Sequence, residues 1–226
     1  MSRGEFETLF GADYFAGRGP GEDPLREAAY VQERARVGRF VTGGAVLDIG
    51  CGMGNFLDHF PPPDWRRFGI EISAHAAERA AERGIQMIDY DHPGATMDLV
   101  ILRGSIQHVD EPLVVIKQAR RLLKPGGHLV FLATPNTNAP HFRLFGDLPA
   151  LDLPRNFLLP SDLMLANILK NLGFRVLAVE YPYLGSPYAR PVRDHLLFLL
   201  RFLGVRRKFP FWRNMMEIYA RKPDDG

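Results

Sequence analysis

The sequence predicts an α/β fold, a mostly parallel sheet held between two layers of helices in a three-layer sandwich. Three observations carry this. Short apolar runs of strand length, such as Ala45-Val46-Leu47, Met97 to Leu102 and His128 to Ala133, alternate with amphipathic or alanine-rich helical stretches. The run MDLVIL is almost continuously apolar, as a strand covered on both faces must be. The first run opens into a turn carrying Gly50, Gly52 and Gly54, with a helix start behind it. A chain of 226 residues, 46% hydrophobic and 24% charged, has the length and composition of one sizeable globular domain.

Composition narrows the function classes. The balance of 28 basic to 26 acidic residues, net +2, does not point to nucleic acid. The charge is uneven, however: Ser186 to Gly226 holds nine Lys/Arg against four Asp/Glu, so this tail is +5 and the rest −3. Cys51 is the single cysteine, which excludes an intrachain disulfide and fits a reducing compartment. The opening MSRGEFETLF has no basic-then-apolar signal pattern, and no apolar run approaches the ~20 residues that span a bilayer. A cytoplasmic protein is the expectation.

In chain order, Tyr14-Phe15 and the turn-rich GRGPGEDP precede a helix over Leu25 to Phe40, with Ala28, Val31, Ala35 and Val37 as its buried face. Then comes AVLDIGCGMGNF. Glycines suit a turn whose backbone angles exclude side chains and whose main chain meets a ligand. The helix behind it aims free N–H groups at the turn. The third glycine, Gly54, stands one place early for the dinucleotide fingerprint G-x-G-x-x-G, and Asn55 fills the fingerprint's place. Asp48 ends the strand, badly placed for a pyrophosphate and well placed for a cation. With Glu71 near the end of the next apolar run, the site has two acids and no evident phosphate-binding base. It suits a positively charged nucleoside. Cys51, inside the turn with no neighbouring base in sequence, reads as a buried thiol that fits rather than as a nucleophile.

VLDIGCGMGNFL closely resembles motif I of the class I S-adenosylmethionine-dependent methyltransferases, and the resemblance covers roughly residues 40 to 180. It implies a Rossmann-like, seven-stranded sheet whose last strand runs antiparallel, with S-adenosylmethionine as cofactor. Residues 1–43 become a helical cap over the cofactor pocket. Residues 44–226 become the methyltransferase domain, with substrate-region insertions at 135–160 and 183–213. The cofactor set it implies comprises Asp48, Gly50, Cys51, Gly52, Gly54, Glu71 with Ile72, Arg103, and Tyr14 from the cap. Glu71 would take both ribose hydroxyls, at the ~20-residue spacing of a ribose-binding acid. Asp89 or Asp91, after a third strand GIQMID, would take the adenine amino group.

The remaining elements follow. Ser73 caps an alanine-rich helix that Gly84 closes, and Asp110 caps a helix with Leu113, Ile116, Ala119, Leu122 and Leu123 on one face. Between them RGSIQHVDEP resembles a family sub-pattern in which His108, Val109 and Pro112 match and Gly104 and Gln107 replace common acids. His108 is the first candidate base, since imidazole titrates near working pH. The replacement at Gln107, and the lack of a second ligand at metal spacing, predict no metal site. No N-P-P-Y or D-P-P-Y follows the fourth strand, which argues against base-amine methylation. After LKPGG and the fifth strand, a long loop carries Asn136, His141, Arg143 and Arg155; substrate contacts are expected there, with His141 the second candidate base. Ser161 to Gly173 is a helix, Phe174 to Tyr181 the sixth strand, and Met215 to Ala220 the last.

Between those strands Leu196, Leu197, Leu200 and Leu203 form an apolar helical face among arginines. Residues 190–208 therefore suit an anionic membrane or a lipidic substrate, or packing on the sheet or a second subunit. The function expected is methyl transfer to an O or N atom of a small molecule by a monomer or homodimer. A sulfonium is already an activated leaving group, so few catalytic residues are required. The rival readings are a non-catalytic relative that binds the cofactor and an NAD(P)-dependent oxidoreductase; the early third glycine and Asp48 count against the latter.

Overall fold

The computed structural model describes residues 9–16, 19, 21–148, 151 and 155–224. Within the cap expected over 1–43, residues 1–8, 17, 18 and 20 lie outside that description, as do 149, 150 and 152–154 of the insertion expected over 135–160. Seven strands form one sheet: β1 (Gly44–Ile49), β2 (Trp65–Ile70), β3 (Gln86–Met87), β4 (Met97–Arg103), β5 (Leu123–Pro135), β6 (Arg175–Glu180) and β7 (Met215–Arg221). Their order is β3-β2-β1-β4-β5-β7-β6. Pairs from β3 to β5 are parallel, and β7 runs antiparallel to both β5 and β6. The antiparallel last strand is as expected. Strand order reverses between β1 and β4, and open α/β sheets bind ligands in the crevice at such a switch point.

Helices α1 (Ala12–Phe15), α2 (Pro24–Val37), α3 (Ala74–Glu82), α4 (Pro112–Leu122), α5 (Pro140–Phe145), α6 (Asp162–Asn171) and α7 (Pro191–Arg201) surround the sheet. Side-chain alternation along the central strands makes two cores. Ala45, Leu47, Ile49, Val100 and Leu102 pack with Ile116, Leu122, Leu165 and Leu169 of α4 and α6. Val46, Leu99 and Ile101 pack on the other face with Tyr30 and Val37 of α2 and Ala80 of α3. Each fully buried aliphatic side chain contributes about 1.5–3 kcal/mol, which is why both faces are apolar. Asp48 shares the parity of Val46 and so points into the second core. Among the described residues no helix is long and apolar enough to cross a membrane.

Several local expectations fail, for identifiable reasons. The inward face of α2 is Ala29, Tyr30, Glu33 and Val37, while Ala28, Val31 and Ala35 are exposed. The aliphatic residues lost to Tyr30 and Glu33, which face a buried arginine. In α4 the buried residues are Val115, Ile116, Ala119 and Leu122, and Leu113 is exposed. Its N-cap is Glu111; Asp110 instead accepts from the Glu111 N–H at 3.0 Å. Ser73 is the N-cap of α3, but its hydroxyl makes no capping hydrogen bond; its N–H donates to the Glu71 carboxylate at 2.9 Å. The third strand shrinks to two residues. LKPGG lies within β5 itself, where Gly127 lets the chain pass close to the Met97 carbonyl and a Lys124–Asp98 ion pair of 2.7 Å ties β5 to β4.

Candidate functional site

Strand ends and the turns beyond them enclose a cavity of about 480 Å³ at the switch point. Its floor is the turn after β1. Gly50 stands at φ +78°, and a Cβ there would lie 2.7 Å from the Ser105 Cβ, so only glycine lets the turn after β4 approach. The Ser105 hydroxyl fixes that approach by donating to the Ile49 carbonyl at 2.7 Å. Glu71, just past β2, accepts from the Gly52 N–H at 2.8 Å and from the Ser73 N–H at 2.9 Å. The carboxylate thereby joins the glycine turn to the start of α3.

The cavity is electrostatically unusual. Burial pushes Asp48 up to about 7, Arg103 opposing and Glu71 adding to the shift. Asp48 Oδ1 is buried without a hydrogen-bond partner. Burial also raises Glu71, against the backbone N–H groups that stabilise its charge. The Arg103 guanidinium does not neutralise this pair, because Glu33 holds it in a fork with contacts of 2.5 and 3.2 Å. Burial alone would lower Arg103, but Glu33, Tyr30 and Asp48 together keep it above its ordinary value, and it lies 4.4 Å from the Tyr30 ring centroid. Two under-compensated acids around one space suit a cationic ligand with hydroxyl donors.

The structure brings Tyr14, Asp48, Gly50, Cys51, Gly52, Glu71, Ile72, Arg103 and His108 to the cavity wall. Four predicted residues fall elsewhere. Gly54 does not line the cavity; a Cβ there would meet Ile85 Cδ1 at 2.2 Å, so it is a packing glycine between the turn and the end of α3. Asp89 and Asp91 are exposed and off the wall, because the chain after β3 turns Tyr90 inward instead. His141 is buried among Phe145, Phe198 and Phe209, with Nδ1 2.9 Å from the Asp147 carbonyl. It belongs to an aromatic cluster away from the cavity, where it cannot serve as the second base. Of the other loop residues, Asn136 is buried against Asp162, Arg143 is exposed, and Arg155 donates to the Leu9 carbonyl at 2.9 Å. Burial, with the Asp48 and Glu71 charges, pushes the Cys51 thiol well up, so it is no nucleophile.

His108 remains at the wall. Its Nδ1 lies 2.8 Å from the Arg155 carbonyl, which can only accept, so Nδ1 carries the proton and Nε2 the lone pair. The Gln107 side-chain amide, which donates to the Gly104 carbonyl at 2.8 Å, sits 3.3 Å from that Nε2. Phe10 closes on the imidazole edge at 5.4 Å between centroids, and Phe10, Tyr14 and Phe15 roof the cavity. Tyr30 and Glu33, four and one residues short of α2's last turn, and Tyr90 were not singled out in the sequence. A helical face of Tyr30, Glu33 and Val37 was the available signal. Beyond Arg103 lies a second, smaller cavity of about 110 Å³ whose wall includes Ala133, Tyr183, Tyr188, Phe211 and Met216. Ala133 there holds φ +46°, an unfavourable angle for a residue with a Cβ. Among the described residues no group of three or more His, Cys, Asp or Glu is placed to hold a metal ion.

The methyltransferase-domain family matches residues 25–179, and the chain belongs to it, among the class I S-adenosylmethionine-dependent methyltransferases. A ubiquinone biosynthesis O-methyltransferase of Vibrio parahaemolyticus is 36% identical over 128 residues, 51% of this chain and 52% of the relative. One from Cronobacter sakazakii is 34% identical over 131 residues, 52% and 51% respectively. The chain thus spans about half the length of these curated relatives. Among solved structures, a SAM-dependent methyltransferase from Archaeoglobus fulgidus superposes with a TM-score of 0.60 at 19% identity, covering 96% of this chain and 100% of that one. The [4+2]-cyclase SpnF superposes with a TM-score of 0.63 at 21% identity, covering 92% and 84%. The residues present fit the family's cofactor: the partnerless Asp48 oxygen, the raised Glu71 carboxyl and the close glycine turn are what a cationic nucleoside would satisfy.

Proposed function

We propose that the protein transfers a methyl group from S-adenosylmethionine to a hydroxyl oxygen of a small-molecule acceptor. The carrying observation is the convergence of Asp48 and Glu71 on one cavity floored by glycine backbone, one acid with a buried partnerless oxygen. When bound, the cofactor supplies a methyl group on a sulfonium, already activated for displacement. The chain's part is then positional. Glu71 holds ribose hydroxyls, Asp48 answers the positive charge, and the Phe10–Tyr14–Phe15 roof keeps water out. His108, on the same cavity wall, would be the group to receive the acceptor's hydroxyl proton, at Nε2.

The acceptor, on this proposal, occupies the His108 side of the same cavity, under the Phe10–Tyr14–Phe15 roof. Oxygen as the receiving atom is supported by the O-methyltransferase relatives, and an aromatic acceptor by the Phe10–Tyr14–Phe15 roof. The likeness to SpnF, a [4+2]-cyclase, means that cofactor binding and methyl transfer need separate tests.

Calorimetric titration of S-adenosylhomocysteine tests the first. Micromolar or tighter binding is expected, weakened at least about 10-fold in Glu71→Ala, since charge-assisted hydrogen bonds contribute about 1.5–3 kcal/mol each. Transfer of labelled methyl to a panel of hydroxylated aromatic compounds tests the second. Tight binding with no transfer to any oxygen acceptor would leave a cofactor-binding protein without this activity.

A further inference from the structure

The cavity has no use for α7, yet α7 is held with care. Its N-cap residue Arg190 donates its backbone N–H to the fully buried Asp194 carboxylate at 2.7 Å, and the Tyr183 hydroxyl donates to the same group at 3.0 Å. Phe198 stacks on Phe211 at 4.3 Å between centroids and 5° between planes, and Arg201 pairs with Asp147. One side of the helix is therefore fixed to the protein. The opposite side carries Val192, Leu196, Leu199 and Leu203, spaced 4, 3 and 4 apart on one stripe, and these are 88%, 55%, 63% and 79% exposed. Phe202 adds a fifth exposed apolar side chain at the helix end. An apolar stripe on a well-anchored helix, turned to water, signals an absent partner.

We propose that this face of α7 docks on an anionic lipid surface. The charges at its ends choose the occupant. Residues 190–208 hold six Lys/Arg and one acidic residue, Asp194, which is buried. Arg190 stands exposed at the N-terminal end beside Arg193, whose guanidinium is paired with Asp194 at 2.8 Å, and Arg206, Arg207 and Lys208 stand exposed just past the C-terminal turn. Leucines between cations match acyl chains between anionic headgroups. A second copy is a poor match. Two-fold pairing of the stripe with itself would set Arg190 and Arg193 against the partner copy's Arg206, Arg207 and Lys208, like charges face to face. The docking face itself does not depend on the methyl-transfer reading.

Co-sedimentation of the full chain with phosphatidylcholine vesicles, with and without phosphatidylglycerol, tests the proposal. At least about 10-fold more protein is expected to pellet with the anionic vesicles, and the excess should fall as salt shortens the screening length to a few ångströms. Leu199→Glu/Leu203→Glu should abolish pelleting, and Arg206→Glu/Arg207→Glu should abolish the preference for anionic lipid. Both variants change exposed side chains only and should keep the wild-type circular dichroism and S-adenosylhomocysteine affinity, which separates loss of docking from loss of the cofactor site. Equal binding to both vesicles, no binding by the folded wild type, or a dimer that the leucine variant dissociates would each overturn the proposal.

Discussion

At the scale of single residues, the glycine turn separates two roles that look identical in the sequence. Gly52 lines the cavity, whereas Gly54 at φ +79° meets Ile85 from the α3 side. A left-handed alanine costs roughly 1–2 kcal/mol, and overpacking adds about 1–3. Gly54→Ala is thus expected to lower the melting temperature by roughly 5–15 °C for a domain of this size. An unchanged melting temperature would mean that Ile85 moves aside freely and that the backbone bears no strain. His108 calls for a kinetic test instead. If Nε2 takes the acceptor's proton, His108→Gln should lower kcat about 100-fold or more, with the acidic limb of the pH–rate profile lost. A rise in KM with kcat and profile intact would make His108 a wall residue only. The sequence identified the histidine but not its tautomer, because that is set by the Arg155 carbonyl, 47 residues away in the chain.

At the scale of elements, the central strands and the acids at their ends were legible because local signals sufficed: an apolar run, a turn glycine, a terminal carboxylate. What was not legible was set by contacts between distant segments. The inward face of α2 departs from the apolar pattern because its buried members include Glu33, whose burial makes sense only against Arg103, 70 residues on. His141 read as a base on a functional loop, and only the aromatic cluster from α7 and the Phe209–Phe211 segment makes it structural. Asp89 and Asp91 lie off the cavity because the two-residue β3 leaves the following register to tertiary packing. The Glu33–Arg103 pair gives this a measurable form. Burial raises Glu33 and Arg103 opposes the shift, so removing the arginine strands a buried carboxyl. Arg103→Met should cost about 3–5 kcal/mol in urea denaturation, and Glu33→Leu/Arg103→Met should regain much of it. Additive losses in the double variant would show that the two residues act independently and that the fork does not fasten α2 to β4.

At the scale of the whole molecule, the fold delivers two acids to one crevice and leaves one Asp48 oxygen without a hydrogen-bond partner, so stability and ligand affinity should respond to pH in opposite directions. The sign follows from Asp48. Below about pH 4, its ordinary value, both folded and unfolded chains hold the proton and the group has no effect. Between there and about 7, the unfolded chain ionises while the folded chain keeps the proton, so stability falls as pH rises. Above that range both are ionised and the penalty stays constant. It amounts to a few kcal/mol, because each tenfold change in an ionisation constant is worth about 1.4 kcal/mol. Glu33 and Glu71, both raised, act in the same direction. A cation in the cavity reverses the preference: it favours the ionised Asp48, so S-adenosylmethionine affinity should rise through the same range and level off above it, with proton release on binding near pH 6. Asp48→Asn isolates the effect. The ligand-free variant should melt higher than wild type at pH 8, match it near pH 4, and bind S-adenosylmethionine at least about 10-fold more weakly at pH 8, with no proton released. Melting temperatures at the two pH values and calorimetry in buffers of different ionisation enthalpy give every quantity needed. A variant less stable than wild type at pH 8 would show that Asp48 is held by interactions the free cavity already supplies, and the cavity would not then be one kept strained for its ligand.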